Sequence, residues 1–215
     1  MTQPNTDVLL LVDLQNDFIE GGALAVQGGA DVIAVANALM PHFQHVIATQ
    51  DWHPSDHQSF ASQNPELAIG DSFLLDGLPQ TAWPDHCIQD SHGAAFAGAL
   101  NQKAIQHVVR KGTDRQIDSY SGFFDNGHQR STGLADYLRQ QGIERVFVMG
   151  LATDYCVRAT VLDAFAEGFG VCLVLDGCRG VNLQPGDVER AIFDMQNAGA
   201  ELIESRQIPS ENAQR

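Results

Sequence analysis

The sequence predicts an α/β protein in which helices cover both faces of a six-stranded, mostly parallel sheet. Short apolar runs alternate with stretches whose apolar residues recur at helical spacing, a rhythm typical of parallel β-α-β units. Of the 215 residues, 44% are hydrophobic and 18% are charged, which is typical of a folded protein with a sizeable core. We therefore expect one three-layer α/β/α domain spanning residues 1–215, with a polar tail at 210–215 that frays.

The six strands are predicted from apolar runs that polar or turn-forming residues bound. They cover residues 8–14, 45–51, 104–111, 145–150, 171–176 and, more weakly, 201–204. Helices are predicted between them at residues 30–43, 133–141, 154–167 and 187–198.

A long segment, about residues 52–103, interrupts this alternation and is rich in Pro, His, Asp and Ser. Loops of this length in a compact domain are usually functional or disordered, and we expect this one to bind metal and substrate. The first strand is followed by Asp-Leu-Gln-Asn-Asp-Phe instead of a glycine-rich turn. A dinucleotide cofactor of the Rossmann type is therefore not expected, although the topology is Rossmann-like.

Charge and cysteine usage restrict the class of partner and the compartment. The chain has 12 Lys and Arg against 27 Asp and Glu, a formal charge of −15, so it lacks the basic face that nucleic acids require. The apolar run at residues 8–12 is too short for a signal peptide or a membrane span, which predicts a cytoplasmic protein. Four cysteines without a CxxC pair are then expected as reduced thiols, with Cys172 filling space in a strand and Cys178 structural in a loop.

Polar residues follow four of the predicted strands, where open α/β sheets bind their ligands. They are Asp13, Asp51, Lys111 and the turn Gly150–Cys156. Such residues either cap the sheet with solvated groups or form a reaction site, and a thiol, a carboxylate and an amine at one edge favour the second interpretation.

The predicted position of Cys156 on its helix favours a role as a nucleophile over a role in filling the core. The expected inward stripe of its helix contains Val157, Val161 and Ala164, and Cys156 lies about 120° away from the centre of that stripe. In the first turn, unpaired N–H groups and the helix dipole favour the reactive thiolate. Asp13 is the expected proton acceptor, with Lys111 opposing the rise of its pKa. The alternatives are a turn or capping role for Asp13 and an ordinary surface amine at Lys111.

A metal site is suggested by the spacing of Asp51 and His53, which places both side chains on one face of an extended strand end. His86 would complete a set of three ligands with positions open to water or substrate. His57 is a candidate fourth ligand. With eight histidines in the chain, scattered surface histidines are the competing explanation.

Four aromatic residues, Phe18, Trp52, Trp83 and Tyr120, are candidates for the wall of an apolar pocket that accepts a flat ring. The competing interpretation is that they belong to the core.

The combination of motifs, rather than any single one, resembles a known family. The chain is similar over nearly its whole length to the nicotinamidase/pyrazinamidase branch of the isochorismatase-like cysteine hydrolases. The motifs that carry this resemblance are DLQNDF at 13–18, DWH at 51–53, WPDHC at 83–87, VRKG at 109–112, YSGF at 120–123 and GLATDYCV at 150–157.

The resemblance implies roles for individual residues. It implies a catalytic triad of Asp13, Lys111 and Cys156, and a cis peptide near Leu151–Ala152 that places the N–H groups of Ala152 and Cys156 as an oxyanion hole. A divalent ion, zinc, iron or manganese, is implied at Asp51, His53 and His86, with His57 or Ser59 as an additional ligand in some members. Phe18, Trp83 and Tyr120 correspond to residues that pack against the pyridine ring.

The implied reaction is hydrolysis of nicotinamide, and of related ring amides such as pyrazinamide, to the acid and ammonia. Two alternatives stay open at the level of sequence: a metal-independent amidase that acts on a carbamoyl or ureido substrate, and a catalytically silent binding protein with the same fold. The sequence also leaves open whether the chain assembles into a homo-oligomer.

Overall fold

The computed structural model describes residues 5–208 and has a parallel sheet of six strands at its centre, which confirms the predicted fold class. In chain order the elements are β1 (Asp7–Val12), α1 (Gly29–Leu39), β2 (His45–Asp51), β3 (Ser72–Leu75), β4 (Leu78–Thr81), β5 (His107–Lys111), α2 (Leu134–Gln140), β6 (Arg145–Leu151), α3 (Arg158–Ala166), β7 (Gly170–Arg179), α4 (Asp187–Asn197) and β8 (Glu201–Ile203). The strand order is β5-β2-β1-β6-β7-β8, and helices flank the sheet.

Strand β1 lies at the centre of the sheet and of the core. Its residues Val8 to Val12 have no exposed surface, as expected for a parallel strand that is covered on both faces. It pairs with β2 on one side and β6 on the other. Because all these strands run in the same direction, their carboxyl ends meet at one edge of the sheet.

The ends of β1 and β6 approach each other closely at Gly150, which is paired with Val12. A Cβ atom on Gly150 would lie 2.1 Å from the carbonyl oxygen of Val12, and the φ angle of Gly150 is +135°. Only glycine meets both conditions without strain. This close approach precedes the turn that carries Cys156, so it helps to set the position of that turn.

The long segment at 52–103 is ordered by contacts rather than by helices. It contains the two-stranded antiparallel hairpin β3–β4 and is held by short bridges of His53 to Ile88 and of Phe60 to Trp83. These bridges bring residues of the segment back to the carboxyl end of β2.

Several element boundaries differ from the sequence-based expectation. The first strand, predicted at 8–14, ends at Val12, and the first helix, predicted at 30–43, ends at Leu39. The predicted strand at 104–111 begins only at His107, because residues 102–104 form a 3-10 turn. Strand β7 continues to Arg179, so Cys178 lies in a strand beside Gly150 and not in a loop. The predicted helix at 154–167 is α-helical only from Arg158, after a π-helical turn at Thr153–Val157. The tail predicted to fray, 210–215, lies outside the described residues.

Two further features bear on the class of protein. Among residues 5–208, no helix has both the length and the apolar character required to cross a membrane. The thiols of Cys87, Cys156 and Cys178 are buried and unbridged, and Cys172 is buried inside β7 with its sulfur 3.7 Å from a carboxylate oxygen of Glu201.

We expect Gly150→Ala to lower the free energy of unfolding by about 3–5 kcal/mol, because the new methyl group meets the β1 backbone and the residue must keep a positive φ. Chemical denaturation monitored by circular dichroism measures this loss. Gly142→Ala is the matched control, since Gly142 also has a positive φ of +71° but a Cβ there would have no neighbour within 4 Å. The control should cost about 1–2 kcal/mol. Equal losses in the two variants would contradict the tight contact at Gly150.

Candidate active site

The structure brings together the four residues that the sequence placed at strand ends. Asp51 and Lys111 are register partners at the ends of β2 and β5. Asp13 directly follows β1, and Cys156 lies in the turn that follows β6. All four side chains are buried, so this edge of the sheet is not a row of solvated caps.

The ammonium group of Lys111 is the centre of this cluster. Its Nζ lies 2.9 Å from Oδ2 of Asp13 and 2.8 Å from Oδ1 of Asp51. It also donates to the carbonyl oxygen of Ser119 at 3.0 Å and lies 3.4 Å from the sulfur of Cys156. Lys111 is 2% exposed, so the alternative of an ordinary surface amine does not hold.

Asp13 is held at a fixed distance from the thiol by Thr49. The Thr49 hydroxyl donates to Oδ1 of Asp13 at 2.7 Å and accepts the backbone N–H of Asp13 at 3.2 Å. A carboxylate oxygen of Asp13 lies within 4.8 Å of the Cys156 sulfur. Burial raises the pKa of Asp13, and Lys111 opposes that rise, which are the two opposing effects expected from the sequence.

The resting state of Cys156 differs from the expectation. The helix start was expected to favour a thiolate, but burial raises the pKa of Cys156 well above its usual value although Lys111 opposes the rise. Burial alone would lower the pKa of Lys111, yet the carboxylates of Asp13 and Asp51 hold it well above its usual value. The cluster therefore combines a neutral thiol with a charged amine, and the thiol needs a base to become a nucleophile.

The turn that carries Cys156 places its side chain at the edge of the core, beside a cavity. The peptide bond between Leu151 and Ala152 is cis, and Val157 packs inward with no exposed surface. The N-cap of the turn is Ala152, not Thr153 or Asp154, and there is no side-chain capping hydrogen bond. The Cys156 side chain instead lines a cavity.

The ring nitrogens of His53 and His86 are arranged as metal ligands usually are. Nδ1 of His53 lies 2.8 Å from the carbonyl oxygen of Gly112, and Nδ1 of His86 lies 2.8 Å from that of Pro84. Since a carbonyl only accepts, each Nδ1 carries a hydrogen, so the lone pair that a neutral ring offers to a metal ion lies on Nε2. Both Nε2 atoms face Oδ2 of Asp51, at 3.2 Å for His53 and 3.6 Å for His86. This donor set suits a divalent cation.

The charged groups around Asp51 favour its ionised form, which is the form that binds a metal ion. Burial would raise its pKa, but His53 and Lys111 hold it well below its usual value. Asp51 is thus a carboxylate, with one oxygen facing Lys111 and the other facing the two imidazoles.

His57 and Ser59 form a pair of their own beside this set. The backbone N–H of Ser59 donates to Nδ1 of His57 at 3.2 Å, and Oγ of Ser59 lies 2.7 Å from the same nitrogen. With Nδ1 accepting, a neutral His57 carries its hydrogen on Nε2 and offers no lone pair there. This arrangement favours a supporting role for His57 and Ser59 rather than direct ligation.

Gln15 and Asp17 place the candidate metal ligands, and sequence reasoning missed them. The Gln15 amide accepts the N–H of Asp51 at 2.8 Å and donates to the Asp51 carbonyl oxygen at 2.8 Å. Asp17 accepts the N–H of Cys87, next to His86, at 2.7 Å. Their position in the motif between Asp13 and Phe18 was the available signal.

A largely apolar cavity lies next to Cys156. The three predicted ring-binding residues, Phe18, Trp83 and Tyr120, all line it. The Tyr120 hydroxyl accepts a hydrogen bond from Nε1 of Trp83 at 3.1 Å, which fixes both rings. His86 also lines the cavity, so it joins the thiol to the candidate metal site.

Trp52 does not line this cavity, contrary to the sequence-based hypothesis. Its ring packs under the guanidinium of Arg110, with 3.8 Å from the guanidinium carbon to the ring centroid. Sequence reasoning missed four other lining residues, which come from separate parts of the chain: Leu24, Asp118, Tyr155 and Val181. Tyr155 alone had a local signal, since it precedes Cys156.

The chain is similar to known proteins over nearly its whole length. Residues 7–207 match the family model described as the isochorismatase domain. The nicotinamidase of Escherichia coli is 54% identical over 198 residues, covering 90% of this chain and 92% of that protein. The solved structure of an Acinetobacter baumanii nicotinamidase and pyrazinamidase has a TM-score of 0.94 at 42% identity, covering 96% of this chain and all of that one. A Pyrococcus horikoshii pyrazinamidase solved in complex with zinc has a TM-score of 0.76 at 35% identity, covering 93% and 99% of the two chains.

We expect His86→Ala to lose most of its divalent metal, because it removes one of the three atoms that face the ion. His57→Ala should keep about one metal ion per chain, because Nδ1 of His57 accepts a hydrogen bond from Ser59 and is not free to bind metal. Inductively coupled plasma mass spectrometry after dialysis against a weak chelator measures both contents. A loss in His57→Ala equal to that in His86→Ala would contradict the assignment of His57 to a supporting role.

Proposed function

The chain belongs to the isochorismatase domain family, and we propose that it is an amidohydrolase that converts nicotinamide to nicotinate and ammonia through a thioester on Cys156. One observation carries the proposal: the Lys111 ammonium contacts Asp13, Asp51 and Cys156 at once, beside an apolar cavity that is lined by the aromatic rings of Phe18, Trp83 and Tyr120. The identity to a nicotinamidase over most of both chains supports the same reaction.

The first half of the reaction forms the thioester. Asp13 takes the proton of the Cys156 thiol as the sulfur attacks the carboxamide carbon, and its raised pKa suits it to accept that proton. Lys111 stabilises the negative charge that the pair carries during attack. The backbone N–H groups of Ala152 and Cys156 hold the oxyanion, and Asp13 returns the proton to the departing ammonia.

The second half releases the acid. Asp13 deprotonates a water molecule that attacks the thioester carbonyl, and the Cys156 sulfur leaves with the proton. A single carboxylate therefore acts alternately as base and acid, which requires that Thr49 and Lys111 keep it in place throughout.

The ring is held by contacts on its faces and edge. Phe18, Trp83 and Tyr120 line the cavity and would pack against the pyridine ring. A divalent ion at Asp51, His53 and His86 would supply a Lewis-acid partner for the pyridine nitrogen, which orients the ring. Zinc, iron and manganese all suit two imidazoles and a carboxylate.

The alternatives left open by the sequence lack a comparable observation. A metal-independent amidase has no use for two imidazoles whose Nε2 atoms converge on Asp51. A silent binding protein does not need a buried amine that contacts a thiol and two carboxylates. Burial of such charges costs desolvation free energy, which a catalytic role would explain.

We expect Cys156→Ala to reduce kcat for ammonia release from nicotinamide by at least about 10⁴-fold, because the nucleophile is lost. Its metal content should stay that of the wild type, since Cys156 is not among the ligands. A coupled ammonia assay and metal analysis measure the two quantities. Ammonia release that persists in the Cys156 variant would refute covalent catalysis.

His53→Ala separates the two halves of the site. It should lose metal and raise KM for nicotinamide, while the reactivity of Cys156 toward an alkylating reagent stays close to that of the wild type. Cys178→Ala is a control thiol variant outside the cavity, and its turnover should be retained. A His53 variant with unchanged KM would contradict ring orientation by the metal site.

A further inference from the structure

We propose that Asp154 is a positioning residue that sets the width of the ring cavity, because it holds Val181 in the cavity wall. This inference rests on the proposed function, since it concerns which pyridine carboxamides the same site accepts. Asp154 touches neither the ring nor the reacting atoms in this assignment, and it acts through the loop at 180–183.

The Asp154 carboxylate binds two successive backbone N–H groups of that loop. Oδ1 accepts the N–H of Val181 at 2.9 Å, and Oδ2 accepts the N–H of Asn182 at 2.7 Å. Both oxygens are thus used on neighbouring peptide groups, a charge-assisted arrangement that fixes the direction of the backbone as well as its distance. Asp154 lies two residues before Cys156, so the loop is fixed relative to the nucleophile.

The other side of the loop is fixed to helix α4. Asn182 has a φ of +55°, and its side-chain oxygen accepts the N–H of Asp187 at 3.0 Å and of Val188 at 3.4 Å. Gly180 allows the close packing, since a Cβ there would lie 2.2 Å from Val188 and 3.0 Å from Asp154. The loop is therefore clamped between the Cys156 turn and α4.

Val181 is the residue that this clamp presents to the cavity. It lines the cavity with Leu24 and Cys156 and packs partly buried against the core. It is the only lining residue that the loop at 180–183 contributes in the described part of the chain. The distance between Val181 and the opposite wall therefore depends on the two hydrogen bonds to Asp154.

The physical consequence is discrimination by ring size. In an apolar pocket, one additional methyl group on the substrate changes kcat/KM by about tenfold or more. A wall fixed by two charge-assisted hydrogen bonds cannot move back to admit a substituted ring without losing one of them. An unsubstituted pyridine ring would be accepted and a ring with a methyl group on the edge facing Val181 would be rejected.

The first test changes the wall itself. Steady-state kinetics of Val181→Ala are measured with nicotinamide and with its 2-, 4-, 5- and 6-methyl derivatives. KM for nicotinamide should rise several-fold with kcat nearly unchanged, and kcat/KM for one methyl isomer relative to nicotinamide should rise by about tenfold. Leu183→Ala, two residues along the same loop at a side chain that is 38% exposed and outside the cavity, is the control and should match the wild type.

The second test changes the clamp. Asp154→Ala should reproduce the selectivity of Val181→Ala, and Asp154→Asn should restore part of the wild-type KM because its amide oxygen can still accept one of the two N–H groups. The rate of Cys156 alkylation by iodoacetamide and the metal content should stay at the wild-type level in all these variants.

These outcomes separate the inference from the proposed function. Absence of ammonia release by the wild-type protein would refute the proposed function. Wild-type activity together with unchanged methyl-isomer selectivity in Val181→Ala would refute the role of Val181. A loss of kcat in Asp154→Ala with unchanged KM and selectivity would refute the positioning role, and would assign Asp154 to support of the Cys156 turn instead.

Discussion

The structure depends on one buried ammonium that serves two carboxylates. Lys111 contacts Asp13 and Asp51 through its Nζ, and these three groups come from the ends of three different strands. Two buried carboxylates this close would repel each other and would bind protons without that amine. The ion pairs therefore fix the relative positions of the strand ends, and removal of the lysine would destabilise the protein, because the two buried carboxylates would lose their shared counter-charge.

Asp51 connects the candidate metal site to the Lys111 cluster through its separate oxygens. Oδ1 faces Lys111, and Oδ2 faces the Nε2 atoms of His53 and His86. A carboxylate in this position couples the charge of the candidate metal site to that of the nucleophilic site. This coupling explains why a thiol with a raised pKa can stand next to a permanently charged amine, since the charge of that amine is largely matched by the carboxylates.

Two of the residues that line the cavity come from a different part of the chain than the proposed catalytic residues. Asp13, Lys111 and Cys156 follow strands of the central sheet, whereas Trp83 and His86 come from the long segment at 52–103. Polar side chains attach that segment to the sheet: Gln15 holds both backbone polar groups of Asp51, and Asp17 holds the N–H of Cys87. The motif after β1 thus supplies both the proposed catalytic carboxylate, Asp13, and the attachments of the segment at 52–103.

The sequence by itself determined the fold class and the meeting of Asp13, Asp51 and Lys111 at one edge of the sheet. Continuous apolar runs are typical of parallel strands that are buried on both faces, and the carboxyl ends of such strands meet at one edge of the sheet. The position of Asp13, Asp51 and Lys111 at that edge was therefore predictable from local patterns. The tertiary structure alone decided the protonation of the thiol, the place of Cys178 in β7 and the contact of Trp52 with Arg110. It also alone brought Asp118 and Val181 to the cavity. These features depend on burial and on contacts between residues far apart in the chain, and local sequence patterns carry no information about either.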